Sequence, residues 1–434
     1  MNSLPRQGDD AQPLTLRSAW VMVLALCAGV ALSQAFRTVG AIMASPLQND
    51  FHLSAQALGI FSGAFHFAFG AMQLFMGIGI DLHGVRRTVL VAFPIAIAGA
   101  LLSAVSSSYL VLVAGQALIG VGCAPAFLVC TVFIARHFPA ARFATVSGMV
   151  LAIGGLGMLV TGTPLAWLVQ AYSWRAGFLV LAVAAALAWL AIWRWVHEPA
   201  SAVPQVRESI PEAIRQFGAL FAMPHTLGII VLGAVTYAAF ISLRGLWLGP
   251  LMMERHGYSL VQSGNVALAV SVISLFGAPL FGRLDRDGAS RRRWIVICAL
   301  GYAALFALIA VLHSAWLDIA GMLAIGVLSG FIVWQYADVR GAYPATLTGR
   351  AMAVFTMAMF LGVALMQWGT GVAASVASAH GSDPLTAVLA TIAVLLVAGI
   401  AAFAWLPAPK TAAARSSNAE EPVELGHRRP TDSD

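Results

Sequence analysis

Apolar runs long enough to cross a bilayer follow one another along almost the whole chain. They lie at 18–46, 56–80, 88–105, 109–138, 143–168 and 176–197, and after a polar gap at 226–253, 263–284, 293–315, 317–340, 351–376 and 384–406. About twenty apolar residues suffice to cross the hydrocarbon core, so the length allows roughly twelve spans. Lipid offers no partner to a backbone N–H or C=O, so runs of this kind fold as helices. The expected class is an all-α polytopic membrane protein. Of the 434 residues, 60% are hydrophobic and 10% charged, against about 25% charged in a soluble domain. Disordered chains, coiled coils, disulfide scaffolds and nearly all soluble enzymes are excluded. The pI of about 9.5 does not indicate a nucleic-acid partner, because the basic residues sit in short gaps between apolar runs.

Cys27, Cys123, Cys130 and Cys298 all fall inside apolar runs and form no CxxC pair, so they read as small packing residues without redox or metal roles. No paired carboxylates, metal-ligand cluster or nucleophile–base set stands out, which predicts neither an enzyme nor a cofactor. The polar start and the long first run argue against a cleavable signal peptide.

Sidedness follows from the basic residues. With the N-terminus in the cytoplasm, all but four of the 24 Lys and Arg fall in cytoplasmic segments. Arg175 and Arg255 fall in outer loops, and Arg37 and Arg244 fall inside spans. Positive residues retained on one side predict an even number of spans with both termini cytoplasmic. The chain then divides into a tail (1–17), a six-helix bundle (18–197), a cytoplasmic linker (198–225), a second six-helix bundle (226–406) and a polar, disordered tail (407–434). Within the linker, Ser209-Ile-Pro-Glu212 reads as a capping box. Ile210, Ile214, Phe217 and Phe221 follow on one face, predicting a short amphipathic helix on the membrane surface.

The two halves repeat weakly. The second run ends Gly77-Ile-Gly-Ile-Asp81-Leu-His-Gly84-Val-Arg86-Arg87. The eighth ends Gly282-Arg-Leu-Asp285-Arg-Asp-Gly288-Ala-Ser-Arg291-Arg292-Arg293. Ser54 and Gly59 match Ser259 and Gly264 in spacing. A half-chain repeat with an even span number suggests two bundles around a midplane site. Here the chain resembles the major facilitator superfamily. Gly77-x-x-x-Asp81-x-x-Gly84-x-Arg86-Arg87 is similar to that superfamily's signature between its second and third helices. Leu82 and Val85 depart from the pattern, standing where the family usually has basic residues. Gln116-Ala-Leu-Ile-Gly120 lacks the family's frequent arginine. The glycines of the fifth run lack the regular Gly-Pro spacing of drug antiporters. The resemblance implies two pseudo-symmetric six-helix bundles and secondary transport by alternating access, in a monomer without cofactor.

In this setting Asp81, with Gly77, Gly84, Arg86 and Arg87, reads as a conformational latch. Its carboxylate can accept from Arg136 or sit at the positive N-terminus of the eleventh helix near Arg350. Asp285, Gly288 and Arg340 form its counterpart in the other half.

Arg37 and Arg244 sit at matching depths of the first and seventh spans. An arginine at the bilayer centre costs ~2.5–3.5 kcal/mol on an insertion scale, and no acid falls in the middle of any span. Their expected partner is therefore an anion from outside the protein, which a planar guanidinium fork suits. The rival is that both arginines bond backbone carbonyls or reach outward to the interface. Gln34 shares a face with Arg37. Tyr237 and Trp247 share one with Arg244. His66, Gln116 and Asn265 add polar groups on the second, fourth and eighth spans. His66 reads as a structural or substrate-contacting histidine ahead of a proton carrier, and Asp338 as locally paired with Arg340. The expectation is a multi-pass transporter of the bacterial inner membrane moving a small organic anion, with lipid as its surroundings. The alternatives are an exporter of amphipathic drugs or metabolites and, from another class, a membrane receptor on the same scaffold.

Overall fold

The structure is a computed structural model that describes residues 16–139, 142–197, 218, 220–284 and 288–408. The linker helix, most of both tails and Asp285 lie outside the described residues. Among the described residues, 12 helices are long and apolar enough to cross a membrane: α1 (Arg17–Thr38), α2 (Ala55–Gln73), α3 (Leu82–Ala104), α4 (Tyr109–His137), α5 (Thr145–Ala171), α6 (Trp174–Trp195), α7 (Thr226–Arg255), α8 (Leu260–Arg283), α9 (Ser290–Leu312), α10 (Ala315–Ala342), α11 (Leu347–Ala379) and α12 (Pro384–Trp405). They form two pseudo-symmetric six-helix bundles, α1–α6 and α7–α12. An even number of crossings brings the start of α1 and the end of α12 to one face, here the termini face. The opposite face is called distal.

Two boundaries differ from the sequence expectation, each for a local reason. The first helix does not stop near 46; after Val39, which keeps helical dihedrals, it continues as Gly40–Phe51 with Pro46 inside. Proline removes only one donor, and tertiary contacts of the buried face Gly40–Ala44 carry the segment on. The second and third runs join with hardly a loop. Backbone from Ala55 to Ala104 is helical except at Gly84, where φ is 81° and ψ 171°. A side chain is strained at that φ, so glycine makes the reversal.

Helix starts are set by hydroxyl caps on the distal face. Ser54 accepts from the Ala57 amide, and Ser259 forms a full capping box with Gln262. These two serines are the matched pair of the sequence repeat. Their companion glycines also serve one role. A Cβ on Gly59 would overlap the Gln367 carbonyl of α11, and one on Gly264 would meet Ala166 and Gly162 of α5.

The two bundles meet along α2–α11, α1–α7 and α5–α8. The contact is backbone-close at distal glycines: Gly40 against the Gly245 carbonyl, Gly249 against the Ala41 carbonyl, Gly371 against Ala55. Small residues let helices approach in lipid, where no hydrophobic drive joins them. Toward the termini face the same helices part. Gly77 of the α2 extension, Gly148 of α5, Gly282 of α8 and Gly349 of α11 have nothing within 4 Å of a Cβ position. Among the described residues the seam is thus close-packed at the distal face and has free space beside these glycines toward the termini face.

The outer surface is apolar, as lipid requires. Tyr172 and Trp316 at one end, and Trp195 and Trp405 at the other, are exposed aromatics that mark the two interfaces.

On the distal face of the second bundle, Arg255 joins three helices. Its Nη2 donates to Asp383 at 2.8 Å, and its Nη1 lies 3.7 Å from Asp318, which also meets His256 Nε2 at 2.7 Å. Partial burial alone would push the Asp383 carboxyl up. Hydrogen bonds from Thr386 and the Leu385 amide, with Arg255, outweigh it and hold the group at about 2. A carboxylate depressed below its unfolded value contributes stability above that value and loses it as pH falls toward 2. Acidifying from pH 5 to pH 2 should therefore lower the thermal midpoint of the native chain more than that of Asp383→Asn, read by tryptophan fluorescence in detergent. Equal losses in both proteins would remove Asp383 from the acid response.

Candidate functional site

Arg37, one residue before the end of α1, lies where the α1–α7 and α2–α11 seams meet. It is half-buried. Its Nη1 donates to the Tyr237 hydroxyl of α7 at 2.9 Å. The guanidinium lies over two rings, Phe69 of α2 (5.1 Å) and Phe360 of α11 (4.5 Å). Such cation–π contacts stabilise by ~0.5–2 kcal/mol. They neutralise no charge, and Arg37 makes no ion pair with a described carboxylate. Its Nε is buried without a hydrogen-bond partner. Arg37 thus holds a cation with an unused donor where the two bundles meet.

The rings bind the two bundles together. Phe69 and Phe360 are 4.2 Å apart, and Tyr237 meets Phe360 edge-on at 5.4 Å. His66, one turn above Phe69, lies nearly parallel to Phe360 at 6.4 Å. Its Nδ1 contacts the Ser62 carbonyl at 3.1 Å, and its Nε2 is buried without a partner. Gln367 on α11 is fully buried and faces His66, without a hydrogen bond of good geometry. The structure therefore gathers Arg37, Tyr237 and His66 of the sequence candidates, and adds Phe69, Phe360 and Gln367. A polar residue inside the eleventh run was the available signal for Gln367. Two phenylalanines in apolar runs give no sequence signal. Gln34 is half-buried one turn before Arg37, and Gln116 is buried on α4 with Nε2 unpartnered.

Arg244 is not the equal of Arg37. It is 0% exposed, in a π-helical turn, Leu243–Trp247. Nε donates to Ser271 of α8 at 2.7 Å, while Nη2 crosses the seam to the Met158 carbonyl of α5 at 2.9 Å and reaches Thr161. In this conformation the carbonyl-bonding alternative describes Arg244. Two further candidates also belong to the distal seam. Trp247 donates to Thr370 at 2.9 Å and lines a distal cavity of about 280 Å³ with Glu254, Ser54 and Ser375. Asn265 is exposed and accepts from Thr163 of α5 at 2.6 Å.

Of the latch residues, Gly84 makes the turn. Arg86 donates to the Trp193 carbonyl near the end of α6 at 3.1 Å, a favourable end for a cation. Arg87 is exposed and Arg136 half-buried. The side chain of Asp81, and any side-chain contact at Gly288, lie outside the described residues, as does Asp285. One expectation is corrected: Asp338 pairs with Arg292 of α9 at 3.0 Å, and Arg340 is exposed. Two residues on, Arg340 points about 200° away around the helix, so the sequence neighbour is out of reach. Among the described residues no group of three or more His, Cys, Asp or Glu could hold a metal.

The sequence is similar to bacterial transporters. An uncharacterized transporter of Bacillus subtilis is 23% identical over 258 residues, covering 56% of this chain and 59% of that one. The probable galactarate/D-glucarate transporter of Bacillus subtilis is 21% identical over 372 residues, 77% of this chain and 81% of that one. The hexuronate transporter of the same organism is 26% identical over 196 residues, 44% of each chain. The chain thus spans about half the length of two of these curated relatives. In fold it resembles a D-xylose–proton symporter, with a TM-score of 0.70 at 15% identity over 90% of this chain and 98% of that one. The sequence profile of the Major Facilitator Superfamily matches residues 25–366 and 248–431. Twelve helices in two like halves carry the same plan, and the chain belongs to the Major Facilitator Superfamily of membrane transporters.

Proposed function

We propose that this transporter moves a small organic anion, of carboxylate or phosphate type, and grips it at Arg37. The observation that carries the reading is the guanidinium of Arg37: half-buried at the meeting of the two bundles, with an unused donor and no carboxylate partner among the described residues. The names of the galactarate/D-glucarate and hexuronate relatives favour the same class. Tyr237, His66 and Gln34 line the grip, with Gln116 behind it. Trp247 and Asn265 act in closing the distal seam. The bundles 18–197 and 226–406 rock about the site as a monomer. The latch at Gly77, Asp81, Gly84, Arg86, Arg87 and Arg136, with Asp285, Gly288 and Arg340, acts when the termini face closes. Charge asymmetry makes the termini face cytoplasmic, in a bacterial inner membrane; the conformation described is then inward-facing.

A ligand that binds the native state raises the unfolding temperature by mass action. Purified protein should be stabilised by D-glucarate or D-galacturonate and unaffected by lipophilic cations such as tetraphenylphosphonium. Stabilisation by the cation alone would replace the anion reading with an amphipathic-drug exporter.

A further inference from the structure

Arg244 is held in a way that its neighbours explain. Helix α5 is interrupted: its inner segment stops at Val160, Thr161 and Gly162 leave helical geometry, and the chain resumes at Thr163 with Pro164 in the first turn. Proline has no N–H for the carbonyl four residues back. At this break the Met158 carbonyl accepts from the Thr161 hydroxyl at 3.1 Å and the Leu159 carbonyl from the Gly162 amide, and the segment ends with the negative end of the helix dipole. Arg244 adds a charged donor to this helix end from the opposite bundle. Nη2 reaches the Met158 carbonyl at 2.9 Å and the Thr161 carbonyl and hydroxyl at 3.5 and 3.4 Å. Thr161 in turn bonds Thr38 of α1 at 2.6 Å, next to Arg37. The π-helical turn Leu243–Trp247 inserts an extra residue just here, as such turns commonly do at functional positions. Nη1 remains buried without a partner.

We propose that Arg244 is the distal gate latch, and that it works by exchanging partners. With the distal seam closed, its guanidinium caps the broken end of α5. When the seam opens, that cap is lost and the fork is released toward Arg37, where an anion takes the place of the carbonyls. The exchange half of this inference rests on the anion reading given above; the latch half does not. The orphaned Nη1 suits such a group: a carbonyl cluster leaves one donor of the fork unused, whereas a carboxylate or phosphate accepts from two. The same cation then cannot hold the gate and the cargo together, so anion binding from the distal side and gate closure compete for one residue.

The test uses the full chain in proteoliposomes with Ser62→Cys as reporter. Ser62 is 5% exposed beside Gly40, where α1 and α2 meet α7, so its thiol is reached from the distal face only when the seam parts. Labelling by a membrane-impermeant maleimide supplied on that face reports the open population, with the chain lacking the reporter as background. Without any anion, Arg244→Gln should raise the labelling rate about tenfold or more, since charge-assisted hydrogen bonds are lost only from the closed state. Arg244→Lys should fall between. Should Arg244→Gln fail to reach the membrane, Ser271→Ala removes the Nε acceptor, keeps the charge and should give a smaller rise. Labelling unchanged in all three variants overturns the latch. D-Glucarate should speed labelling of the chain with native Arg244 and leave Arg244→Gln unaffected. A rise in Arg244→Gln with no effect of D-glucarate on native Arg244 keeps the latch and removes the anion reading instead.

Discussion

Arg37→Gln should lower affinity for D-glucarate about ten- to hundredfold while leaving protein in the membrane. Losing a charge-assisted hydrogen bond costs ~1.5–3 kcal/mol, and about 1.4 kcal/mol is tenfold in affinity. Folding should survive because Arg37 pairs with no described acid: its removal strands only the Tyr237 hydroxyl and two ring faces. Arg37→Lys should recover part of the affinity, since an ammonium keeps the charge and loses the planar fork. Tyr237→Phe should have the smaller effect, freeing Nη1 without removing the cation. Titration of purified protein, followed by thermal shift or calorimetry, checks the series. Native affinity in Arg37→Gln would mean that the guanidinium serves the aromatic seam alone.

Gly249→Val should reduce transport at least tenfold without preventing insertion. Any Cβ at this position runs into the Ala41 carbonyl, and backbone cannot step aside as a side-chain tip does. The distal seam would then be held apart at the α1–α7 crossing, so the cycle stalls with the distal face open. Overpacked contacts commonly cost ~1–3 kcal/mol, enough to invert a two-state preference of similar size. Gly301, on α9 with open space around it, gives the control: Gly301→Ala should transport at the native rate. The measurement is initial uptake into vesicles, normalised to protein level. Equal rates in Gly249→Val and native chain would show that close approach at this crossing is not needed.

Much of this fold is written in the sequence because lipid imposes a simple rule. Twelve apolar runs had to be helices, and the Ser54/Gly59 and Ser259/Gly264 match located the same cap and crossing in each half. Where expectation and structure part, the cause is tertiary. The extension Gly40–Phe51 is carried through Pro46 by burial that no local propensity reveals. Arg37 and Arg244 look equivalent by depth and residue type. They differ because α5 breaks at Thr161 and offers carbonyls to one of them. Asp338 finds Arg292 on another helix instead of Arg340 two positions away, a choice made by helical phase. Phe69 and Phe360, which frame the cation, are indistinguishable in sequence from any lipid-facing phenylalanine.

The central claim is that a cation between two rocking bundles selects an anionic cargo. Its most direct test is uptake of radiolabelled D-glucarate and of a lipophilic cation by vesicles carrying native chain or Arg37→Gln. The account predicts saturable D-glucarate uptake by the native chain, abolished or reduced at least tenfold by the substitution, and no cation transport by either. Cation transport by the native chain, undiminished or increased in Arg37→Gln, with no D-glucarate uptake, would contradict it.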